Sequence, residues 1–233
     1  ALGFTQSYTY FIWRTTAPEL REYLTELTRG ELAAILRPAF FPTTPDVLHA
    51  YLQTGGRPAF RIRLLLAATL SPLYGIYSGY ELCEGEPLRE GSEEYRDSEK
   101  FELRWRDWST PGNLTDDLVA LNRLRRNERA LQVVDNVEFH DAGNDALLWY
   151  SKRGIDGSVT LLIAVTLDPH HAQESMVEVP LELLGIDEAT AFAVEDVLSG
   201  ERYTWQGSRA YVRLDPEVRV GQIFRLHVPD GDA

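Results

Sequence analysis

The 233-residue chain is 44% hydrophobic and 25% charged, a normal globular balance, and is long enough for one large or two ordinary domains. Its net charge of −13 argues against a nucleic-acid backbone or an anionic membrane surface as the main partner. The single cysteine, Cys83, excludes an internal disulfide and fits a reducing cytoplasm, and no apolar run approaches the roughly 20 residues that span a bilayer.

Residues 4–11 (FTQSYTYF) are rich in β-formers and predict a first strand. Pro18 opens a helical pattern over residues 19–28 and Gly30 stops it, the usual asymmetry of proline at the start and glycine past the end. Residues 33–41 are near-continuously apolar, as strands buried on both faces are. After Gly55-Gly56 a helix is predicted over residues 58–70, with Pro58 in its first turn and Ser71-Pro72 as its break. Residues 73–77 (LYGIY) form the third predicted strand. The loop that follows, residues 78–111, is unusually long for a compact domain, which points to function or disorder. Its Tyr95, Phe101, Trp105 and Trp108 disfavour disorder.

A third helix is expected over residues 114–131, with Leu114, Leu118, Leu121 and Leu124 on one face and Arg123, Arg125, Arg126 and Arg129 on a solvated one. The succession β-α-β-α-β-α implies right-handed crossovers and a parallel sheet. From residue 133 the texture changes. Short runs at residues 137–140, 146–151, 159–165, 176–179, 192–196, 211–214 and 223–228 alternate with turns at Gly143-Asn144, Asp156-Gly157, Ser199-Gly200 and Gln206-Gly207. Such spacing predicts an antiparallel β-sandwich of about seven strands. The expected class is therefore α/β plus all-β, with domains at residues 1–131 and 132–233. Three β-α units cannot close a barrel and leave two sheet edges open, so further chain or another subunit is expected to cover them. The start at Ala1 and the lone Met176 fit a chain cut from a longer one.

Asp46 follows Phe41-Pro42-Thr43-Thr44-Pro45 at the C-terminal end of the second predicted strand, where the active-site face of a β/α barrel lies. Pro42 and Pro45 stiffen the approach. A carboxylate held there can orient sugar hydroxyls and stabilise positive charge at an anomeric carbon. The alternative is a helix N-cap, since Asp46 precedes Val47-Leu48. In the long loop, Lys100 offers three donors and Phe101 an aromatic face, set against the plain reading of a solvated lysine in an alternating-charge run. Tyr8, Tyr10 and Trp13 read first as core. His170-His171 has too few companions for a metal site, Cys83 lacks a nearby histidine to activate it, and Gly55-Gly56-Arg57 lacks the spacing of a phosphate loop.

Thr43-Thr44-Pro45-Asp46, Gly91-Ser92-Glu93-Glu94 with Glu99-Lys100-Phe101, and the stretches at residues 6–11 and 72–82 resemble the α-amylase superfamily (glycoside hydrolase family 13). The specific likeness is to the α-1,4-glucan:maltose-1-phosphate maltosyltransferases. In these the strand closes on Asn-Thr-Pro-Asp, and Thr43 here replaces the Asn. The resemblance runs over nearly the whole chain, is strongest over residues 2–108, and in the sandwich is one of type only. It implies the last three β-α units of a TIM (β/α)8 barrel followed by the C-terminal antiparallel β-sandwich. It also implies retaining transfer of maltosyl units from α-maltose 1-phosphate to α-1,4-glucan, with Asp46 as transition-state stabiliser and Lys100 and Phe101 as substrate contacts. The family has Tyr where Phe101 stands, so stacking is kept while a hydroxyl is lost. Its nucleophilic aspartate and acid glutamate lie upstream of this chain, which alone is expected to be inactive. The resemblance implies no cofactor or metal, a cytoplasmic enzyme, no nucleic acid or membrane partner, and a homodimer in the full-length enzyme. The alternatives are a sibling activity (amylase or trehalose-forming isomerase) and a non-catalytic glucan-binding role. For the latter, Trp149, Trp205 and Tyr211 are the candidate aromatics, although their alternation with apolar neighbours reads as core.

Overall fold

Three very short strands, β1 (Ser7–Tyr8), β2 (Pro38–Phe40) and β3 (Leu73–Tyr74), lie parallel in the order β1-β2-β3. Ser7 stands opposite Pro38 and Ala39 opposite Leu73. These coordinates are a computed structural model that describes residues 6–29, 31–100, 102–154 and 159–227. Helices α1 (Ala17–Arg29), α2 (Ala50–Leu70) and α3 (Thr115–Asn127) follow the three strands in turn, so the β-α alternation is as expected.

The strands themselves are shorter than their apolar runs. Glu31–Ala34 coils into a 3-10 turn, and the Arg37 guanidinium donates back to the carbonyls of Ala33 and Leu36 at 2.9 and 3.1 Å. That local closure removes residues 33–37 from the expected second strand. Likewise Tyr10–Trp13 forms a 3-10 turn where the first strand was expected to continue. The span of α2 holds two helical pieces that meet at Gly56, so the second piece follows Gly55-Gly56 as expected and an additional short one, from Ala50, precedes it. Gly56, at φ 55° and ψ −159°, breaks the helix just before Pro58, which therefore stands in a first turn where its missing N–H costs no helical hydrogen bond. The expected third helix also stops early, at Asn127, and Arg129–Gln132 follows as a 3-10 turn.

Arg125 corrects the reading of a solvated arginine face. Its guanidinium turns inward and donates to the carbonyls of Ala68, Ser71 (3.0 Å), Pro72 (2.6 Å) and Leu131 (3.3 Å), stacked 5.0 Å over Tyr74. It thereby satisfies carbonyls that the end of α2 leaves without helical partners.

The second half is antiparallel. Strands β4 (Val137–Phe139), β5 (Leu147–Arg153), β6 (Val159–Thr166), β8 (Ala191–Asp196), β9 (Arg202–Gln206) and β11 (Gly221–His227) form one sheet, ordered β4-β5-β6-β11-β8-β9. Strands β7 (Gln173–Glu178) and β10 (Arg209–Leu214) form a second, and the short α4 (Leu181–Leu184) connects β7 to β8. Strand β9 is additional to the seven expected. Its Arg-Tyr-Thr-Trp-Gln alternation between two glycine turns is polar enough outside to escape a search for apolar runs.

The central strands β5, β6 and β11 of the six-stranded sheet are buried on both faces, whereas β8 and β9 expose one. Leu148, Tyr150, Leu161, Ile163 and Ile223 join the core of α1 and α2, while Leu147, Trp149, Leu162 and Phe224 meet Val177, Val212 and Leu214 of the smaller sheet. One hydrophobic core therefore runs across the boundary at residues 131 and 132. Thr69 and Tyr150 share a 2.6 Å hydroxyl bond across this seam, and the Tyr51 hydroxyl donates to the Leu167 carbonyl at 2.9 Å. Gly221 marks the closest approach: a Cβ there would stand 2.3 Å from Leu65 Cδ2 and 2.7 Å from the Ala164 carbonyl oxygen.

Candidate active site

Beyond β2 the chain reverses in a tight turn. Thr44 and Val47 exchange both backbone hydrogen bonds, at 3.1 and 3.2 Å, and the Asp46 amide donates to Thr44 Oγ1 at 3.3 Å. Pro45 presets φ at the first central position of that turn. Asp46 is thus held at a tip with its carboxylate 72% exposed. It does not cap α2. That task falls to His49, whose Nδ1 accepts from the Tyr51 amide at 3.2 Å and whose pKa burial pushes down, keeping the ring an acceptor.

The long loop returns over this turn and is organised by one buried arginine. Arg106, with a side chain only 3% exposed, pairs with Glu84 at 2.9 Å and Glu99 at 2.7 Å and donates to Ser78 Oγ at 3.1 Å. The Arg106 guanidinium and then the Arg104 amide hold the Glu99 carboxyl down at about 2. Fixing Glu99 fixes its neighbour. The Lys100 amide donates to Ser98 Oγ at 3.3 Å, and the Lys100 ammonium forms an ion pair with Asp46 Oδ1, which raises the lysine's pKa. Two of the residues singled out from sequence, 54 positions apart, therefore meet. Phe101 lies outside the described residues.

Glu93 ties a third segment in. Its carbonyl accepts from the Leu48 amide at 2.6 Å, and its carboxylate accepts from Trp13 Nε1 at 3.1 Å. Gln53 Nε2 donates to the carbonyls of Leu48 and Ser92, both at 2.8 Å. Tyr8 and Tyr10 are not core, being 71% and 66% exposed. The Tyr8 ring lies 4.8 Å from that of Phe41, beside a cleft of about 260 Å³ that opens over the parallel strands between Gln6, Ala39, Leu73 and Tyr74. The arrangement presents a carboxylate and an ammonium to solvent on a rigid support. That pairing can accept and donate hydrogen bonds to a polyhydroxylated ligand while keeping a negative charge in place.

Sequence reasoning missed Arg106, Glu84 and the Glu93–Trp13 bond. The charges of residues 97–106 alternate visibly, but which arginine sinks between which carboxylates is a matter of spatial distance. Elsewhere, burial raises the Cys83 thiol to about 11, which keeps it unreactive, and His171 pairs with Asp168 at 3.2 Å. Among the described residues no group of His, Cys, Asp and Glu side chains can hold a metal ion, and no helix is long and apolar enough to cross a membrane.

Comparison with known proteins adds an independent line. The family described as GLGE, C-terminal, matches residues 139–226. The chain is 52% identical over 236 aligned residues to alpha-1,4-glucan:maltose-1-phosphate maltosyltransferase 2 of Streptomyces coelicolor, covering 100% of this chain and 35% of that protein. It is 46% identical to the maltosyltransferase of Cereibacter sphaeroides, over 98% of this chain and 34% of the relative. The chain thus spans about a third of the length of the curated relatives it matches. In fold it is similar to AmyP in complex with maltose, with a TM-score of 0.68 at 12% identity over 99% of this chain and 51% of the other. It is also similar to an alpha-amylase of Geobacillus thermoleovorans complexed with acarbose, with a TM-score of 0.63 at 13% identity over 94% of this chain and 45% of the other.

Proposed function

Because the chain belongs to the α-1,4-glucan:maltose-1-phosphate maltosyltransferase family, we propose that it forms part of an enzyme that transfers maltosyl units from α-maltose 1-phosphate to α-1,4-glucan chains. In that reaction the bond from the anomeric carbon to the phosphate oxygen breaks and phosphate leaves with the electron pair. The maltosyl unit then passes to the 4-hydroxyl of the acceptor's non-reducing end, whose proton goes to a carboxylate base. Retention requires a nucleophile and an acid/base carboxylate. Two carboxylates of the loop, Glu93 and Glu99, are already committed to Trp13 and Arg106. We assign nucleophile and acid/base to parts of the enzyme other than this chain.

Asp46 acts as stabiliser of the oxocarbenium-like charge, and Lys100 and Phe101 bind the disaccharide. The observation that carries this reading is the Asp46–Lys100 ion pair at the end of a parallel strand. The ammonium orients the carboxylate before the donor arrives and offers its remaining protons to sugar hydroxyls. In this reading the three parallel strands are part of a (β/α)8 barrel within residues 1–131 and residues 132–233 are its sandwich domain. The complete enzyme is cytoplasmic and homodimeric.

Two measurements test the proposal. In the complete enzyme, Asp46→Asn lowers kcat on the order of 10²-fold while donor binding weakens far less; an unchanged kcat removes Asp46 from the catalytic set. The purified 233-residue chain releases no phosphate from maltose 1-phosphate, and detectable release overturns the assignment of the other carboxylates elsewhere.

A further inference from the structure

The chain has a net charge of −13, yet residues 123–129 hold four arginines and one glutamate. That glutamate, Glu128, is drawn off by an ion pair with Arg225 of β11. Among the described residues Arg123, Arg126 and Arg129 pair with no carboxylate, whereas Arg61, Arg104, Arg106, Arg209 and Arg219 each do. Arg125 is bonded to carbonyls and stacked on Tyr74, partners that carry no net charge, so its positive charge also stands unneutralised.

An open cleft of about 520 Å³ lies against this segment, lined by Pro72 beyond the end of α2, by Asn122, Arg125 and Arg126 of α3, and by Gln132. Its polar groups are rich in donors. Asn122 Oδ1 accepts from the Tyr74 hydroxyl at 2.7 Å, which leaves the two N–H groups of that amide available. Gln132 spends one N–H on the Arg125 carbonyl at 2.8 Å and keeps a second. Arginines at a helix C-terminus often serve the helix itself, and exposed carbonyls there repel anions. Here those carbonyls are occupied. Arg125 covers Ala68, Ser71 and Pro72, the Glu128 amide bonds the Leu124 carbonyl at 2.8 Å, and Gln132 covers that of Arg125. Arg126 is left over from that task, and two guanidinium groups line a cleft to which no carboxylate contributes. Guanidinium and amide donors spread over three residues match the several oxygens of a phosphate group, while a neutral ligand would leave the charge unused.

We propose that this cleft binds a phosphate dianion, either inorganic phosphate or the terminus of a small phosphomonoester. Its volume falls within the roughly 300–1,000 Å³ of small-molecule sites, so the organic part of an ester has room. The cleft adjoins the N-terminal end of β3, whereas Asp46 follows the C-terminal end of β2, and the two strands run parallel. A bound anion therefore lies at the opposite end of the strands from the Asp46–Lys100 pair and does not occupy that site. Nothing in this cleft depends on the function proposed above.

The test is an amide chemical-shift map of the 233-residue chain, titrated at low salt with inorganic phosphate and separately with glycerol 3-phosphate. Sodium chloride of equal ionic strength is the reference, and both titrations are repeated on Arg126→Gln and on Arg89→Gln. Both arginines are exposed, so their replacement leaves the core intact. Phosphate is expected to shift the amides of Asn122, Arg126 and Gln132 along a saturating curve. Arg126→Gln is expected to weaken that binding about tenfold, and high salt to weaken it further, while Arg89→Gln leaves it unchanged. Shifts that sodium chloride reproduces, shifts centred elsewhere, or no saturable shift with either compound overturns the site. Binding that Arg126→Gln leaves untouched, or that both variants weaken equally, overturns it too. Saturation by glycerol 3-phosphate alone keeps the site and restricts it to esters, and saturation by inorganic phosphate alone restricts it to the free ion.

Discussion

The two halves of the molecule build sheets by different means. In the first, β1, β2 and β3 pair over two or three residues each, and Tyr8, Tyr10 and Leu73 remain open to solvent. In the second, β5 and β6 run seven and eight residues and their described apolar side chains are buried on both faces. A ladder of two residues contributes few hydrogen bonds, so the parallel strands are held chiefly by their helices and by what those helices rest upon. Helix α2 rests on the six-stranded sheet, with Leu64, Leu65 and Leu66 all buried. The six-stranded sheet is thus the floor of the parallel half. Within the parallel half, buried Arg63 ties α2 to the first 3-10 turn: its guanidinium stacks 3.8 Å over Phe11 and donates to the carbonyls of Arg14 and Phe11 at 2.6 and 2.5 Å.

The strongest test of the shared floor is Gly221→Ala. The added methyl meets Ala164 backbone as well as the Leu65 side chain, so relaxation is costly, and we expect a loss of about 1–3 kcal/mol. Urea unfolding followed by both circular dichroism and tryptophan fluorescence should show one transition at a lower midpoint. Two separated transitions, or an unmoved midpoint, would mean that the halves are independent.

Lys152 sharpens the same comparison. It is fully buried on β5, its Nζ donates to the Val133 carbonyl at 3.0 Å, and burial pulls its pKa from 10.5 to about 7. The unfolded chain holds that proton more tightly than the folded one, so protonation opposes folding. Stability is then expected to rise with pH from about 7 towards 10.5, by at most about 1.4 kcal/mol per pH unit. Urea midpoints across that range should climb for the native chain and climb less for Lys152→Met. Equal slopes would place the amine in contact with water.

The smallest global effect is expected at Arg106. Arg106→Gln releases Glu84 and Glu99 and should speed proteolysis within residues 78–111 while the sandwich keeps its unfolding midpoint. The clamp is also acid-sensitive. Glu99 is depressed from 4.5 to about 2, so its contribution is complete above the ordinary value and fades as pH falls through about 2. Protection of the loop that survives Arg106→Gln would assign its order to Tyr77 and Tyr95 packing instead.

Much of this was legible along the chain. Pro18 falls in the first turn of α1 as expected, and the paired turn signals delimit most of the antiparallel strands. Asp46 and Lys100 stood out through the segments that carry them, and Asp46 followed a proline turn that the structure contains. Other features were hidden for identifiable reasons. Residues 33–37 are apolar enough for a strand, yet two alanines accept a 3-10 turn as readily and Arg37 closes it. Arg125 lies off the leucine face of α3, and only the arrival of the α2 terminus beside it turns a solvated residue into a buried one. Trp149, Trp205 and Tyr211 share one local pattern, but the first two are buried while Tyr211 is exposed at a cleft.

The sequence by itself determined the alternation of strand and helix, the change to antiparallel texture near residue 133, and the turn that carries Asp46. Each is set by neighbours within a few positions, through period, proline and glycine geometry. Only the tertiary structure decided that Lys100 reaches Asp46, that Arg106 sinks between Glu84 and Glu99, and that one core crosses between the halves. Ion pairing and burial depend on distance in space, and residues tens of positions apart acquire that distance only when the chain has folded.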